Sequence, residues 1–169
     1  MTNIRQQDDP VLRQQAKTVT ATDFSSPQLS QVLTQMKEAL DSQADGVAIA
    51  APQIGVPWRI FMVSHRAWQY VKQAPTDNAD MVFINPQIVK LSKDRKTVEE
   101  GCLSVRWWYG MIERSNKARI EAQNESGEKF TWNGTGLIAQ IFQHEVDHLN
   151  GVLFIDKAKK LWESPPEQP

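Results

Sequence analysis

The stretch Gln143-His144-Glu145-Val146-Asp147-His148 carries the residue types and the spacing that could do chemistry. A helix turns about 100° per residue, so side chains four apart lie on one face, about one turn from each other. His144 and His148 can then offer two imidazoles to one divalent cation. Glu145 stands beside such a cation rather than pointing at it, where its carboxylate can take a proton from an attacking water. Leu137, Ile138, Ile141, Phe142 and Leu149 recur at helical spacing around the hexapeptide. The motif therefore belongs to an amphipathic helix whose apolar side gives the ion a wall partly closed to water. The plain alternative is a solvated helix with two histidines and a capping Asp147. Against it, the apolar stripe faces inward and two of the chain's three histidines fall on it.

Two histidines do not complete a zinc or iron site, which usually takes three protein ligands and keeps one position open. A metzincin-like protease would place another histidine six residues after His148, where this chain has Phe154. A thermolysin-like protease would use a Glu on a later helix, yet only Asp156, Glu163 and Glu167 follow, the last two in a proline-rich stretch. Cys102, the single cysteine, is the remaining strong candidate. It sits in Glu100-Gly101-Cys102-Leu103-Ser104, where Gly101 permits close backbone approach and Ser104 can order the turn. A lone cysteine is more often an inert small hydrophobe. The unfilled pair of imidazoles tips the reading toward a ligand.

The elements that must position these residues can be read along the chain. Asp9-Pro10 is an N-cap followed by Pro at the first helical position, opening a short turn through Val11, Leu12 and Ala16. Ser25-Ser26-Pro27 repeats that signal, and Leu29, Val32, Leu33, Met36 and Leu40 then recur at helical spacing until Asp45-Gly46. The run from Gly46 to Gly55 is small and apolar and contains the lone amide of Gln53; a close-packed extended segment is expected there. Short β-rich runs cover 60–63, 81–84 and 88–91, with a weaker signal over 97–105. Residues 117–122 and 129–132 read as a hairpin around Gly127. Residues 73–80 read as an exposed loop, and Asn150-Gly151 as the C-cap of the histidine helix. The expected fold class is α+β: mostly antiparallel short strands packed around a C-terminal helix, plus one N-terminal amphipathic helix. One domain is expected over residues 1–162, with a frayed tail over 163–169.

Composition narrows the function classes. With 169 residues, 40% of them hydrophobic and 23% charged, a chain of this size buries about 70% of its unfolded surface. A net charge of −1 with interspersed signs gives no global field for nucleic acid or anionic membrane, and no nucleic-acid motif is present. One cysteine excludes an intramolecular disulfide and fits a reducing compartment. The first nine residues have neither the apolar core of a signal peptide nor the look of a transit peptide, and no apolar run approaches a membrane span. A cytoplasmic location is expected.

Three segments, in this order, resemble the peptide deformylase family: Gly46-Val47-Ala48-Ile49-Ala50-Ala51-Pro52-Gln53, Glu100-Gly101-Cys102-Leu103-Ser104, and Gln143-His144-Glu145-Val146-Asp147-His148. Flanking matches at Asp9-Pro10-Val11-Leu12-Arg13, Ile84-Asn85-Pro86 and Gly151-Val152-Leu153-Phe154-Ile155-Asp156 extend the likeness over nearly the whole domain. The resemblance implies a metal-dependent hydrolase that removes the formyl group from the N-terminal methionine of new polypeptides and releases formate. Its implied partners are formyl-methionyl nascent peptides, met at or near the ribosome.

By the same resemblance Cys102, His144 and His148 would bind Fe²⁺, with Zn²⁺, Ni²⁺ or Co²⁺ as substitutes. Glu145 would move the proton, and the Gln53 amide and Leu103 N–H would face the developing oxyanion. Glu100 and Arg114 would form a pair orienting the site. Val47, Ala48, Val98, Leu137 and Ile141 are the expected substrate-binding wall, with the peptide added as a strand beside residues 46–48. Two departures stand out. Ala48 replaces the family's usual Gly, which would be strained if the position needs positive φ. After Ser104 the chain reads Val105-Arg106-Trp107-Trp108-Tyr109, where the family often opens with Pro, so at least one aromatic is expected at the cleft rim. An HExxH metallopeptidase and a non-catalytic, metal-stabilised peptide-binding protein stay open as alternatives.

Overall fold

The computed structural model describes residues 3–72 and 74–166. Gln73, which opens the expected loop, and residues 167–169 of the expected tail lie outside the described residues. Pro27–Asp41 forms helix α1. The Ser26 hydroxyl accepts the N–H of Leu29 at 3.2 Å, which satisfies one orphan donor of the first turn. Ala48–Ala50 (β1), Ile60–Val63 (β2) and Met81–Leu91 (β3) follow, then Arg95–Gly101 (β4), Trp108–Ser115 (β5), Lys117–Gln123 (β6) and Lys129–Thr135 (β7). Leu137–Leu149 forms α2, which carries both histidines, and Lys160–Glu163 forms β8. The strands build two antiparallel sheets, one in the order β1-β2-β3-β6-β7 and one in the order β4-β5-β8.

The first sheet is buried on both faces, which is why β2 reads as a continuous apolar run and not as an alternation. Ile60 and Met62 pack with Leu29, Val32, Met36 and Leu40 of α1. Phe61 and Val63, pointing the other way, pack with Ile138, Ile141 and Phe142 of α2. Phe61 stacks on Phe83 at 4.5 Å between ring centroids, and Phe142 meets Phe83 edge-on at 5.2 Å. Each such fully buried aromatic stabilises the fold by about 1.5–3 kcal/mol. Together they fix α2 against the sheet. Gly151 then ends α2 with φ +75°, and a Cβ there would come within 2.6 Å of the Arg13 carbonyl oxygen, so the stop is specific to glycine.

The two expected runs at 81–84 and 88–91 are one strand. Asn85-Pro86 forms a bulge in it, with a register shift between Ile84 and Gln87. Asn85 takes φ +51°, and its amide substitutes for the lost ladder by accepting from Val19 N–H at 2.8 Å and donating to the Val19 carbonyl at 2.9 Å. The weak signal over 97–105 resolves into β4, which stops at Gly101, one residue before Cys102. β5 and β8 have no counterpart in the expected strands, and Glu163, placed at the start of the expected tail, pairs with Trp108. Among the described residues no helix is long and apolar enough to cross a membrane.

His65, which had no assigned role, opens a short 3-10 helix at His65–Tyr70. Asp80 accepts its backbone N–H at 2.7 Å and lies 2.8 Å from its ring Nδ1, while Lys37 of α1 reaches the other carboxylate oxygen. Burial alone would raise the Asp80 carboxyl, but the Lys37 and His65 donors outweigh it and bring it from 3.8 to about 2. A depressed carboxylate contributes stability that is present above its unfolded pKa and lost as pH falls through the folded value. Asp80→Asn is therefore expected to cost about 1 kcal/mol at neutral pH, after allowance for solvent screening. The difference should shrink between pH 3.8 and about 2. Urea unfolding of both proteins across that range checks it.

Candidate metal centre and its cleft

The packing of α2 turns His144 and His148 toward the loop that leaves β4 at Gly101, and that loop begins with Cys102. Among the described residues, the Cys102 Sγ and one ring nitrogen from each histidine lie within 4.8 Å of one another. Cys102 Sγ is 3.2 Å from His148 Nε2, and the two imidazole centroids are 5.0 Å apart. One ion with bonds of about 2.0–2.3 Å spans such a group. Two of the three donors are also oriented for it. His144 Nδ1 is 2.9 Å from Glu100 Oε2, which leaves Nε2 for the ion and fixes the ring. The sulfur lies 3.4 Å from Ser104 N–H and 3.6 Å from Gln53 Nε2, two donors suited to a thiolate.

Arg114 of β5 joins these parts. Its Nε and Nη2 donate to the two oxygens of Glu100 at 2.7 and 2.9 Å, and its Nη1 donates to Asp147 of α2 at 2.7 Å. Arg114 and Glu100 are each only 5% exposed, so this expected pair is a buried fork rather than a surface contact. Burial would raise the Glu100 carboxyl, but Arg114 and His144 hold it at about 2. Burial lowers His148 well below the ordinary imidazole range, so its ring is neutral and has a lone pair to give. Burial also opposes charge on His144, yet Cys102 and Glu100 on either side raise it well above the ordinary value. A cation at Nε2 would take the place of that proton.

Glu145 is buried, and its Oε2 has no hydrogen-bond partner among the described residues. Burial pushes its carboxyl up to about 7, suited to a group that takes and returns a proton near neutral pH. Gln53 is pinned by its Oε1, which accepts Ala50 N–H at 2.8 Å, so its Nε2 points to Ser104 Oγ at 3.0 Å and to the sulfur. Gln53, Leu103, Cys102, His144 and Glu145 all line one cleft of about 360 Å³.

Val47, Ala48, Leu137 and Ile141 line the same cleft, and Val98 is absent from its lining. Val98 packs instead beside Leu12, Ile112 and Phe154 in a separate core under the second sheet. Ala48 is not among the residues with positive φ; it is regular strand, paired with Val63, and its side chain joins the core shared with α2. The extra methyl therefore brings no backbone strain. Trp107, Trp108 and Tyr109 all contribute to the cleft wall, and the Tyr109 ring lies where a side chain at Gly101 would be, about 2.7 Å from its Cβ position.

Four further residues, none of them expected from the sequence to serve the site, contribute to it. Gln143 locks α2 to β5 by accepting Ser115 N–H and donating to the Ser115 carbonyl, both at 3.0 Å. Its position on the apolar face, as a buried amide, was the available signal. Asp147 accepts from Arg114 and, at 2.7 Å, from Lys157. Asp45 and Arg106 pair at the cleft mouth with no local sequence signal.

Residues 1–163 match the model of the polypeptide deformylase family. A peptide deformylase of Agrobacterium fabrum is 39% identical over 155 residues, covering 90% of this chain and 84% of the relative. The crystal structure of peptide deformylase from Thermotoga maritima superimposes with a TM-score of 0.81 at 38% identity, covering 95% of this chain and 99% of that one. A class I type b peptide deformylase from Acinetobacter baumannii bound to Met-Ala-Ser superimposes with a TM-score of 0.80 at 30% identity, covering 93% and 99%.

The buried fork makes a direct prediction. Arg114→Met leaves the buried Glu100 with His144 alone and Asp147 with the exposed Lys157 alone, and is expected to cost about 3–5 kcal/mol of stability. Arg114→Lys keeps the charge but cannot hold both Glu100 oxygens, so it should fold and bind its cation about 10–100-fold more weakly. Thermal unfolding of the metal-free protein and competition against a chelator measure the two effects separately.

Proposed function

The chain belongs to the peptide deformylase family, metal-dependent hydrolases that remove the N-formyl group from nascent polypeptides, and we propose that Cys102, His144 and His148 hold its divalent cation. The approach of the Cys102 sulfur and one ring nitrogen from each imidazole to within 4.8 Å of one another is the observation that carries the assignment. The ion is Fe²⁺ in this reading, with Zn²⁺, Ni²⁺ or Co²⁺ able to replace it; a soft sulfur beside two imidazoles suits all four. Such a cation supplies Lewis acidity, polarising the formyl oxygen and making water a better acid.

The chain's own residues do the rest. Glu145 takes the proton from the water that attacks the formyl carbon and delivers it to the amine as the C–N bond breaks, which leaves formate and a free N-terminus. The Gln53 side-chain N–H and the Leu103 backbone N–H donate to the oxygen on which negative charge builds; being fixed beforehand, they cost no reorganisation during the reaction. Glu100, held by Arg114, keeps the His144 ring in place.

Val47, Leu137 and Ile141 form the apolar pocket for the methionine side chain, beside Ala48. The substrate main chain lies along the free edge of β1 as an added strand, which recognises backbone and leaves the following residues loosely specified. Met-Ala-Ser bound to the Acinetobacter relative supports a peptide of this kind as ligand. One metallohydrolase domain over residues 1–162 carries these parts, and its place of work is the cytoplasm, a reading with which a single unpaired cysteine is compatible.

Protein purified anaerobically with ferrous iron is expected to release formate from formyl-Met-Ala-Ser. Glu145→Ala should keep the cation, as read by metal analysis, and lose turnover about 10²–10⁴-fold in kcat. A fully loaded, folded wild type that releases no formate would reject the assignment.

A further inference from the structure

The stretch after Ser104 departs from the family pattern, and its charged member has a definite partner. Arg106 Nη1 donates to Asp45 Oδ2 at 2.6 Å, and Nη2 donates to Asp45 Oδ1 at 2.9 Å and to Gln43 Oε1 at 3.1 Å. The guanidinium also lies 4.4 Å from the centroid of the Trp107 ring. Asp45 stands just before Gly46 and β1, whereas Arg106 lies four residues after Cys102. The pair therefore joins the two walls of the cleft, and both residues line it. Asp45 remains 57% exposed at the side chain and Arg106 17%, so the two charges meet at the mouth rather than in the core.

The direction of β1 says what passes there. The strand runs from Ala48 to Ala50 and on to Gln53, so the reacting end of a bound peptide lies at its far end, near Gln53, Cys102 and Glu145. A peptide paired with the free edge of β1 leaves in the opposite direction, past Gly46 and Asp45. At about 3.3 Å per residue, the three positions from Ala48 back to Asp45 span about 10 Å. A second depression of about 300 Å³, lined also by Ile4, Gln6 and Gln43, adjoins the cleft at Leu103, Arg106 and Trp107 and has room for a side chain.

Resting on the reading that substrate pairs with β1, we propose that Asp45 and Arg106 form a specificity pair that reads the charge of the substrate side chain two to three residues after the methionine. Arg106 takes a carboxylate there and Asp45 takes an ammonium or guanidinium. Each neutralises the other at rest, so the wild type turns over both kinds of peptide. Removing one partner leaves the other free to select.

The test compares kcat/KM on four C-terminally amidated peptides, formyl-Met-Ala-Asp, formyl-Met-Ala-Lys, formyl-Met-Ala-Ala-Asp and formyl-Met-Ala-Ala-Lys, with amidated formyl-Met-Ala-Ser as the neutral reference. Amidation removes the terminal carboxylate that would otherwise mask the effect. Asp45→Asn is expected to shift the acidic-to-basic ratio about fivefold toward Asp, and Arg106→Gln to shift it about fivefold toward Lys, as for one unit charge about 4 Å away in solvent. The shifts should fall on KM rather than kcat, shrink at about 0.5 M salt, and be absent in Asp45→Glu. Ratios that stay put in both variants while the neutral peptide is still deformylated would overturn the specificity role and leave a structural strap. No formate from the neutral peptide, even with wild type, would remove the underlying reading and this proposal with it.

Discussion

One buried guanidinium decides whether the proposed metal centre holds together as a unit. Arg114 belongs to β5, its bidentate partner Glu100 to β4, and its third partner Asp147 to α2. Glu100 stands two residues before Cys102, and its other contact is the ring of His144. A single side chain thus ties the strand that delivers the sulfur to the helix that delivers the nitrogens. In a site this dry each of these charges would be costly alone. Paired as they are, the lowest-energy arrangement is the one in which β4, β5 and α2 are in register, and the three ligand atoms meet as a consequence.

The apolar core does a different job, which is to bring α2 to the right depth. β2 and β3 contribute Phe61 and Phe83 to one face of the first sheet, and Phe142 of α2 packs on both. Gln143, on the next residue, engages both backbone groups of Ser115 at the end of β5. Aromatic packing alone would tolerate a small slide of the helix along the sheet. A buried amide that must satisfy two backbone groups does not, because a slide would leave all of them unpaired in a dry interior. His144 follows directly and inherits that precision.

Local chemistry made much of this legible in the sequence. The period of α2, the cap at Ser26 and the turn at Gly127 are determined within a few residues of where they occur, and each lies where the reading put it. The cluster proposed to hold the cation was legible for the same reason: two of its members lie four apart on one helix, and the third is the single cysteine. What stayed hidden depends on partners far along the chain. β5 mixes Gly110, Glu113 and Arg114 with apolar residues because it is served by β4 on one side and β8 on the other; the pairing of Arg114 with Glu100 is expected from the sequence, but its third partner Asp147, 33 positions away, is not. Val98 shows the converse error. Closeness in sequence to Glu100 placed it in the cleft, whereas it joins the separate core built around Ile112 and Phe154.

The same architecture explains how a binding groove can be left open without endangering the protein. Each sheet ends in an unpaired strand beside the cleft, β1 on one side and β4 on the other. Exposed edges invite pairing with other chains. Here β1 is only three residues long, between Gly46 and the 3-10 turn at Ala51, and β4 carries the exposed charges Arg95, Lys96 and Glu99. Gln140 of α2 also occupies the Glu99 carbonyl at 2.9 Å. In the proposed binding mode, main-chain pairing along three residues would recognise any peptide equally, so selectivity would come from the two ends of the groove: an apolar wall beside the reacting atoms, and a charged mouth where the chain departs.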